Sequence, residues 1–443
     1  MTALQTPEQS ANDKRIANER HSQRIVTAFI VSGLLFMLLP GTFLGVWNLI
    51  GISEHRTLGS ISPAWLQAHG LAQIFGWVGS FIIGIGFYSL TKMQSTRSFP
   101  VRAGWITWVL WTIGAGLRWT GGVTGWHWKI MLPVSGVLEL AAYIVFFASL
   151  RRHRPANPGQ RKEPWMLMIV AASIAFMTTL AVNCAAMFWL AVTGAVPALP
   201  HVFDEEFILL ALWGVLVPTI WGFNARWLPI FAGFRKLSRI PLVLAYGFSL
   251  LGLIAIFAQW LPVAAIAFLF ASLLAVEALH VWQPAVAPAK LLHVDRSFPL
   301  FIRLTYVWLV VSSLLTAIAV PYDHAGGIWG ASRHALTVGF IAGMVFAIGQ
   351  RVLPAFCGMR VLWSTQLMFW SLLLLHAGCL LRVAMEPLAY EGYWSFAWKL
   401  LPVSAFIELA AVALFALNII GTLLRPPAHL HGQAKAVRAR GTT

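Results

Sequence analysis

Residues 333–351 read RHALTVGFIAGMVFAIGQR. From Ala335 to Gln350 the sequence holds sixteen residues without a charge, and Gln350 is the only strongly polar side chain among them. A helix needs roughly 20 residues to cross the hydrocarbon layer, so this stretch predicts a membrane span with His334 at its mouth. The reading extends along the chain. Apolar runs of the same kind fall near 25–50, 65–91, 103–121, 129–150, 165–194, 204–228, 241–259, 262–283, 301–320, 334–356, 362–383 and 398–423. Of the 443 residues, 59% are hydrophobic and 10% charged, against about 25% charged in soluble proteins. A large soluble core would need charged helix faces, and they are missing. The expectation is an all-α polytopic membrane protein with a polar N-terminal segment 1–24, a twelve-helix transmembrane domain 25–424 and a basic tail 425–443.

Charge placement orients the bundle. With the N-terminus in the cytoplasm, the inner loops hold Lys92, Arg97 and Arg102; Arg151, Arg152, Arg154, Arg161 and Lys162; Arg235, Lys236 and Arg239; Lys290, Arg296 and Arg303; and Arg351 and Arg360. The outer loops hold few cations, chiefly Arg56, Lys129, Arg333 and Lys399. This is the positive-inside bias, repeated loop pair by loop pair, and it places both termini inside. It also accounts for the net charge of +16 through anionic inner-leaflet lipid, so no nucleic-acid partner is expected. Cys184, Cys357 and Cys379 have no CxxC spacing and give no disulfide framework. The first apolar segment is long enough to remain as a span, which argues against a cleaved signal peptide.

The chain resembles itself. PVSGVLELAA at 133–142 matches PVSAFIELAA at 402–411, with LPVAA at 261–265 as a fainter third copy. HGLAQIFGWVGSFIIG at 69–84 echoes HALTVGFIAGMVFAIG at 334–349, and ARWLPIFAG at 225–233 echoes QRVLPAFCG at 350–358. These offsets fit three four-helix repeats arranged by rotation. The repeat pairs His69, at the start of the second span, with His334, at the start of the tenth. Each imidazole can give one nitrogen to a metal while a hydrogen bond fixes the other, and two rings on facing helices can hold a haem iron from both sides. The plainer reading is two interfacial histidines hydrogen-bonded at helix ends. Arg118 and Arg382 also match. Either snorkels to lipid phosphate or binds haem propionates through its planar fork.

Acids within spans should face a partner or a cavity. Glu139, Glu277 and Glu408 are the cases here, read either as polar contacts between repeats or as proton carriers. HVFDEEF at 201–207 puts His201 and Glu205 four apart, with Asp204 and Glu206 beside them. The set is compatible with copper, iron or zinc, and equally with an ordinary acidic helix N-terminus. His376, inside the eleventh span, is a further candidate metal ligand or a satisfied interior histidine.

At these residues the chain resembles the NnrS family of haem- and copper-containing membrane proteins tied to the nitric oxide response. WLQAHGLAQIFG at 65–76, GFNARWLPIF at 222–231 and, most closely, RHALTVGFIAGM at 333–344 carry the likeness. That family in turn resembles the catalytic subunit of haem–copper oxidases, a twelve-helix bundle. The resemblance implies a protein of the bacterial inner membrane, haem b held by His69 and His334, and copper bound through other residues. It also implies nitric oxide as ligand and a quinol or other electron donor. The oxidase pattern places a histidine pair on span seven, but PLVLAYGFSLLGLIAIFAQW has none, and span ten has His334 alone. The expected function is therefore nitric oxide binding or processing without proton-pumping oxygen reduction. A divergent respiratory oxidase or nitric oxide reductase, and a haem-free transporter, are the alternatives. The three-fold repetition does not resemble the inverted pairs common in transporters.

Overall fold

The computed structural model describes residues 7–90, 100–152, 163–291, 293–358 and 360–425. Lys92, Arg97, Arg154, Arg161 and Lys162 of the expected inner loops, and the basic tail from residue 426, lie outside the described residues. Among the described residues all regular structure is helical. The long helices are α1 Glu19–His55, α2 Pro63–Ser89, α3 Val101–Thr124, α4 Trp128–Arg152, α5 Pro164–Thr193, α6 His201–Phe231, α7 Arg239–Phe257, α8 Leu261–Ala278, α9 Phe298–Tyr322, α10 Gly327–Phe356, α11 Thr365–Tyr390 and α12 Ala397–Leu424. Eleven of them are long and apolar enough to cross a membrane. The remaining one, α3, has 24 residues, but its arginines, glycines and threonines lower its hydropathy. The helix that contains α1 already begins at Pro7, so it runs unbroken through the predicted boundary at residue 25.

Local chemistry sets the boundaries. Pro63, Pro164 and Pro262 stand in the first turns of α2, α5 and α8, where the missing N–H would have had no partner anyway. Gly125 closes α3 in the left-handed region at φ +66°. Ser364 caps α11 by accepting from the Leu367 N–H at 3.1 Å. The turn between α7 and α8 is a real break centred on Gln259 at φ +58°.

Three helices form the inside of the bundle. The apolar windows of α2, α6 and α10 are 72%, 67% and 78% buried, against 28–56% for the other spans that are apolar enough to cross. Each of the three contains a π-helical turn: Ala72–Gly79, Leu210–Leu216 and Ala335–Ala342. A fourth, Met37–Phe43, lies in α1 around Pro40. Such turns carry an extra residue and cluster at functional sites. The inner helices meet through aromatic rings. Trp77 of α2 lies edge-on to Phe346 of α10 with centroids 6.1 Å apart, and Phe75 of α2 contacts Phe207 of α6 at 6.0 Å.

The pairs α3–α4, α7–α8 and α11–α12 are the most extensively packed neighbours, and each brings a glycine to the same register. A Cβ on Gly114 would meet Glu139 Cγ at 2.9 Å, one on Gly378 would meet Glu408 Cγ at 2.7 Å, and one on Gly252 would meet the Phe268 ring at 2.5 Å. Lipid supplies no hydrophobic drive between helices, so small residues that admit close approach do this work. Phe268 holds the place of the two glutamates, so the middle pair is apolar where the outer pairs are polar. Glu277, read from the sequence as a third acid within a span, is instead exposed in the last turn of α8. Gln350 is satisfied. It accepts from Asn418 Nδ2 at 2.6 Å and donates to Ser371 Oγ at 3.3 Å, tying α10 to α11 and α12.

Candidate functional site

His69 and His334 both stand two turns inside their helices, in the turn just before the π-helical segment, rather than at the first residue of a span. The helix of α10 begins at Gly327, because IWGAS continues the apolar pattern on the N-terminal side of Arg333. His69 Nδ1 lies 2.8 Å from the Gly41 carbonyl oxygen, in the π-helical turn of α1. Pro40 beside it has no N–H to close an ordinary helical bond. One turn after His69, Gln73 Nε2 donates to Thr42 Oγ1 at 3.0 Å, so α2 grips the widened turn at two levels. A Cβ on Gly45 would stand 2.5 Å from His69 Cε1, so a larger residue there would displace the imidazole.

His334 Nδ1 lies 2.9 Å from the Gly330 carbonyl oxygen and 3.0 Å from Glu386 Oε2. Arg382 Nε is 3.3 Å from the same carboxylate oxygen. Glu386 packs its carboxylate on Gly330, where a Cβ would collide with it. The partners of Nδ1 are acceptors in both histidines, so Nδ1 carries the proton and each Nε2 keeps its lone pair. The charges of His334 and Arg382 act on His69, and those of His334, Arg382 and Glu386 act on Glu408. Arg382 Nη1 is buried with no hydrogen-bond partner.

Arg118 belongs to a different group. The charges acting on it are those of Glu139 and Asp204. Its buried Nη1 also lacks a partner. Glu139 Oε2 accepts from Asn183 Nδ2 at 3.0 Å.

The candidate copper residues are differently engaged. His201 and Glu205 do share a helix face, with His201 Nδ1 3.6 Å from Glu205 Oε2. Glu205 Oε1, however, pairs with Arg333 Nη1 at 3.2 Å, and Glu206 Oε1 accepts from Gln259 Nε2 at 2.6 Å. His376 is buried on α11 and stacks on Phe301 at 5.5 Å with a 5° interplanar angle. The Trp308 Nε1–H donates to its Nδ1 at 3.0 Å. The indole is a donor only, so Nε2 of neutral His376 carries the proton, the opposite tautomer to His69 and His334. His376 Nε2 is a donor as it stands, not a free lone pair. Among the described residues no group of three or more His, Cys, Asp and Glu side chains is placed to hold a metal ion.

Sequence reading missed Glu386, which the Arg382-to-Glu386 spacing of four on one helix face could have signalled. It also missed Gly41, whose role is a backbone carbonyl and leaves no side-chain signature. His280 has Nε2 3.0 Å from Ser238 Oγ.

Fold and site together define an all-helical, polytopic membrane protein with two inward-facing histidines on its innermost helices. The chain belongs to the NnrS family: the family model described as NnrS protein matches residues 27–426. No curated protein matches the chain.

Proposed function

We propose that His69 and His334 hold a haem, of the b type, between α2 and α10, and that the protein serves the nitric oxide response at the bacterial inner membrane. The carrying observation is the shared state of the two rings. Each Nδ1–H is committed to an acceptor, which fixes the ring and leaves Nε2 as a lone pair, the arrangement that metal-bound histidines adopt. The residues present suit the group. The two histidines occupy matching positions in the repeat and lie within electrostatic range of each other. The buried, unpartnered Nη1 of Arg382 offers a charge-assisted donor to a propionate. A haem so held supplies iron for ligand binding or electron transfer. Glu386 orients His334 and Arg382 together, and Gly41 and Gly45 set the ring of His69.

In this reading α3 joins the eleven apolar helices as a twelfth span, both termini are cytoplasmic, and three four-helix repeats surround α2, α6 and α10. The support is the three-fold recurrence of inner helix, π-helical turn and glycine-packed pair. Nitric oxide enters as ligand and a quinol as electron donor on the strength of family membership. Copper finds no comparable support, because Glu205 and Glu206 are bound to Arg333 and Gln259 and His376 offers a donor.

The test is the visible absorption spectrum of the purified protein. His69→Ala and His334→Ala should each abolish or strongly alter the Soret band while the protein still inserts. An unchanged band in both variants defeats the assignment. Anaerobic nitric oxide should change the reduced spectrum of the wild type.

A further inference from the structure

Arg118 is 8% exposed, and its Nη1 is unpartnered. Around it stand Glu139 of α4, 1% exposed, Asn183 of α5, 2% exposed, and Asp204 of α6. Asn183 Oδ1 and Asp204 Oδ1 are also buried without partners. One donor and one acceptor are thus left over beside the Glu139 carboxyl, and a further acceptor on Asp204 across Arg118, and each unmade bond of this kind destabilises the fold. The formal charges do not balance either, since the three carboxyls of Glu139, Asp204 and Glu205 stand against the two guanidiniums of Arg118 and Arg333, and an uncompensated charge within the span is costly. A proton and water are the smallest species that correct both deficits.

The matching frame at the other end of the chain also leaves buried polar atoms over, on Arg382, Glu386 and Glu408, but its charges are paired differently. Gly378, Arg382 and Glu408 repeat Gly114, Arg118 and Glu139, but there Glu386 pairs with the arginine and with His334. The first frame has Gly122 at the position of Glu386 and draws its second carboxyl from a neighbouring inner helix. The cluster also has a way out. The charges acting on Asp204 include those of His201, Glu205 and Arg333, and the His201 side chain is 71% exposed.

We propose that Glu139 is a proton-exchanging carboxyl that binds one proton together with water and communicates, past Asp204, with the end of the bundle that carries His201. The groups facing it are Arg118 on α3 and Asn183 and the Cys184 thiol on α5, and Arg118 links it to Asp204 on α6. Beyond Asp204 stand His201 and Glu205 on α6 and Arg333 on α10. The proposal is independent of the haem assignment.

Infrared titration of the full-length protein in lipid vesicles, in H2O and in D2O, reads it directly. A neutral-carboxyl C=O band should grow as pH falls and shift on deuteration. The share of that band lost in Glu139→Gln should persist in Glu408→Gln. Asp204→Asn should keep the Glu139 band but slow deuterium entry about 100-fold, the low end of what a positioned proton-transfer group supplies. Because Asp204→Asn leaves Glu139 in place, it reads the route even if Glu139→Gln does not insert. A Glu139→Gln spectrum that superimposes on the wild type at every pH overturns the proposal, as does wild-type exchange in Asp204→Asn. Replacing Na+ with choline should leave the titration unchanged, and a Na+-dependent midpoint would replace the proton by a metal cation.

Discussion

Glu386 is the residue on which the histidine site turns. Its carboxylate meets His334 Nδ1 and Arg382 Nε at once and is 4% exposed. Removing one partner of a buried charge pair leaves the other uncompensated, and loss of the group that hydrogen-bonds a metal's histidine ligand typically lowers metal affinity 10- to 100-fold. Glu386→Gln should therefore weaken haem retention by about 10- to 100-fold, measured as haem per protein after dilution in detergent. Retention equal to the wild type would show that the Gly330 carbonyl alone fixes the ring. Single residues also mark what the sequence could and could not reveal. His69, His334 and Arg382 were legible because they recur in matched segments. Glu386 does not recur, since Gly122 stands at its counterpart, and only its spacing of four from Arg382 marks it. The tautomer of His376 was not legible, since it depends on Trp308 of another helix.

At the level of elements, the π-helical turns decide where side chains point. A turn of α-helix rotates the chain 100° per residue, and a π-helical turn absorbs one additional residue before the ordinary twist resumes. In α10 the turn Ala335–Ala342 lies directly after His334. Deleting Val338 should remove the extra residue, convert the turn to α-helix and leave His334 in register with Gly343–Phe356, whereas deleting Ile348, in the ordinary helix beyond the turn, should swing His334 about 100° relative to the residues that follow. Both variants should still insert, since the span keeps its length within one residue, but the Soret band should be lost only in the second. Deleting a residue in the lipid-facing α5, which lacks such a turn, is the control for insertion. Neither the hydropathy nor the repeats announce these turns, because the extra residue is as apolar as its neighbours.

For the whole molecule, the orientation rests on the distribution of Lys and Arg. Reporter fusions after Lys92 and after Arg151 should both register a cytoplasmic location, and an external signal at either site would break the twelve-span topology. The class of the protein, the approximate positions of its helices and the pairing of its histidines follow from the sequence alone. Burying backbone in hydrocarbon demands helices, and both hydropathy and repetition are written in residue order. Which helices lie innermost was decided only by the tertiary structure, as was the division of the two arginines between separate clusters. Arg118 and Arg382 occupy equivalent places in the repeat, yet the charges acting on one are those of Glu139 on α4 and Asp204 on α6, while the other pairs with Glu386 of its own helix. Sequence similarity within a chain records what each repeat inherits, whereas electrostatic surroundings are contributed by neighbours across the bundle, and only packing chooses those neighbours.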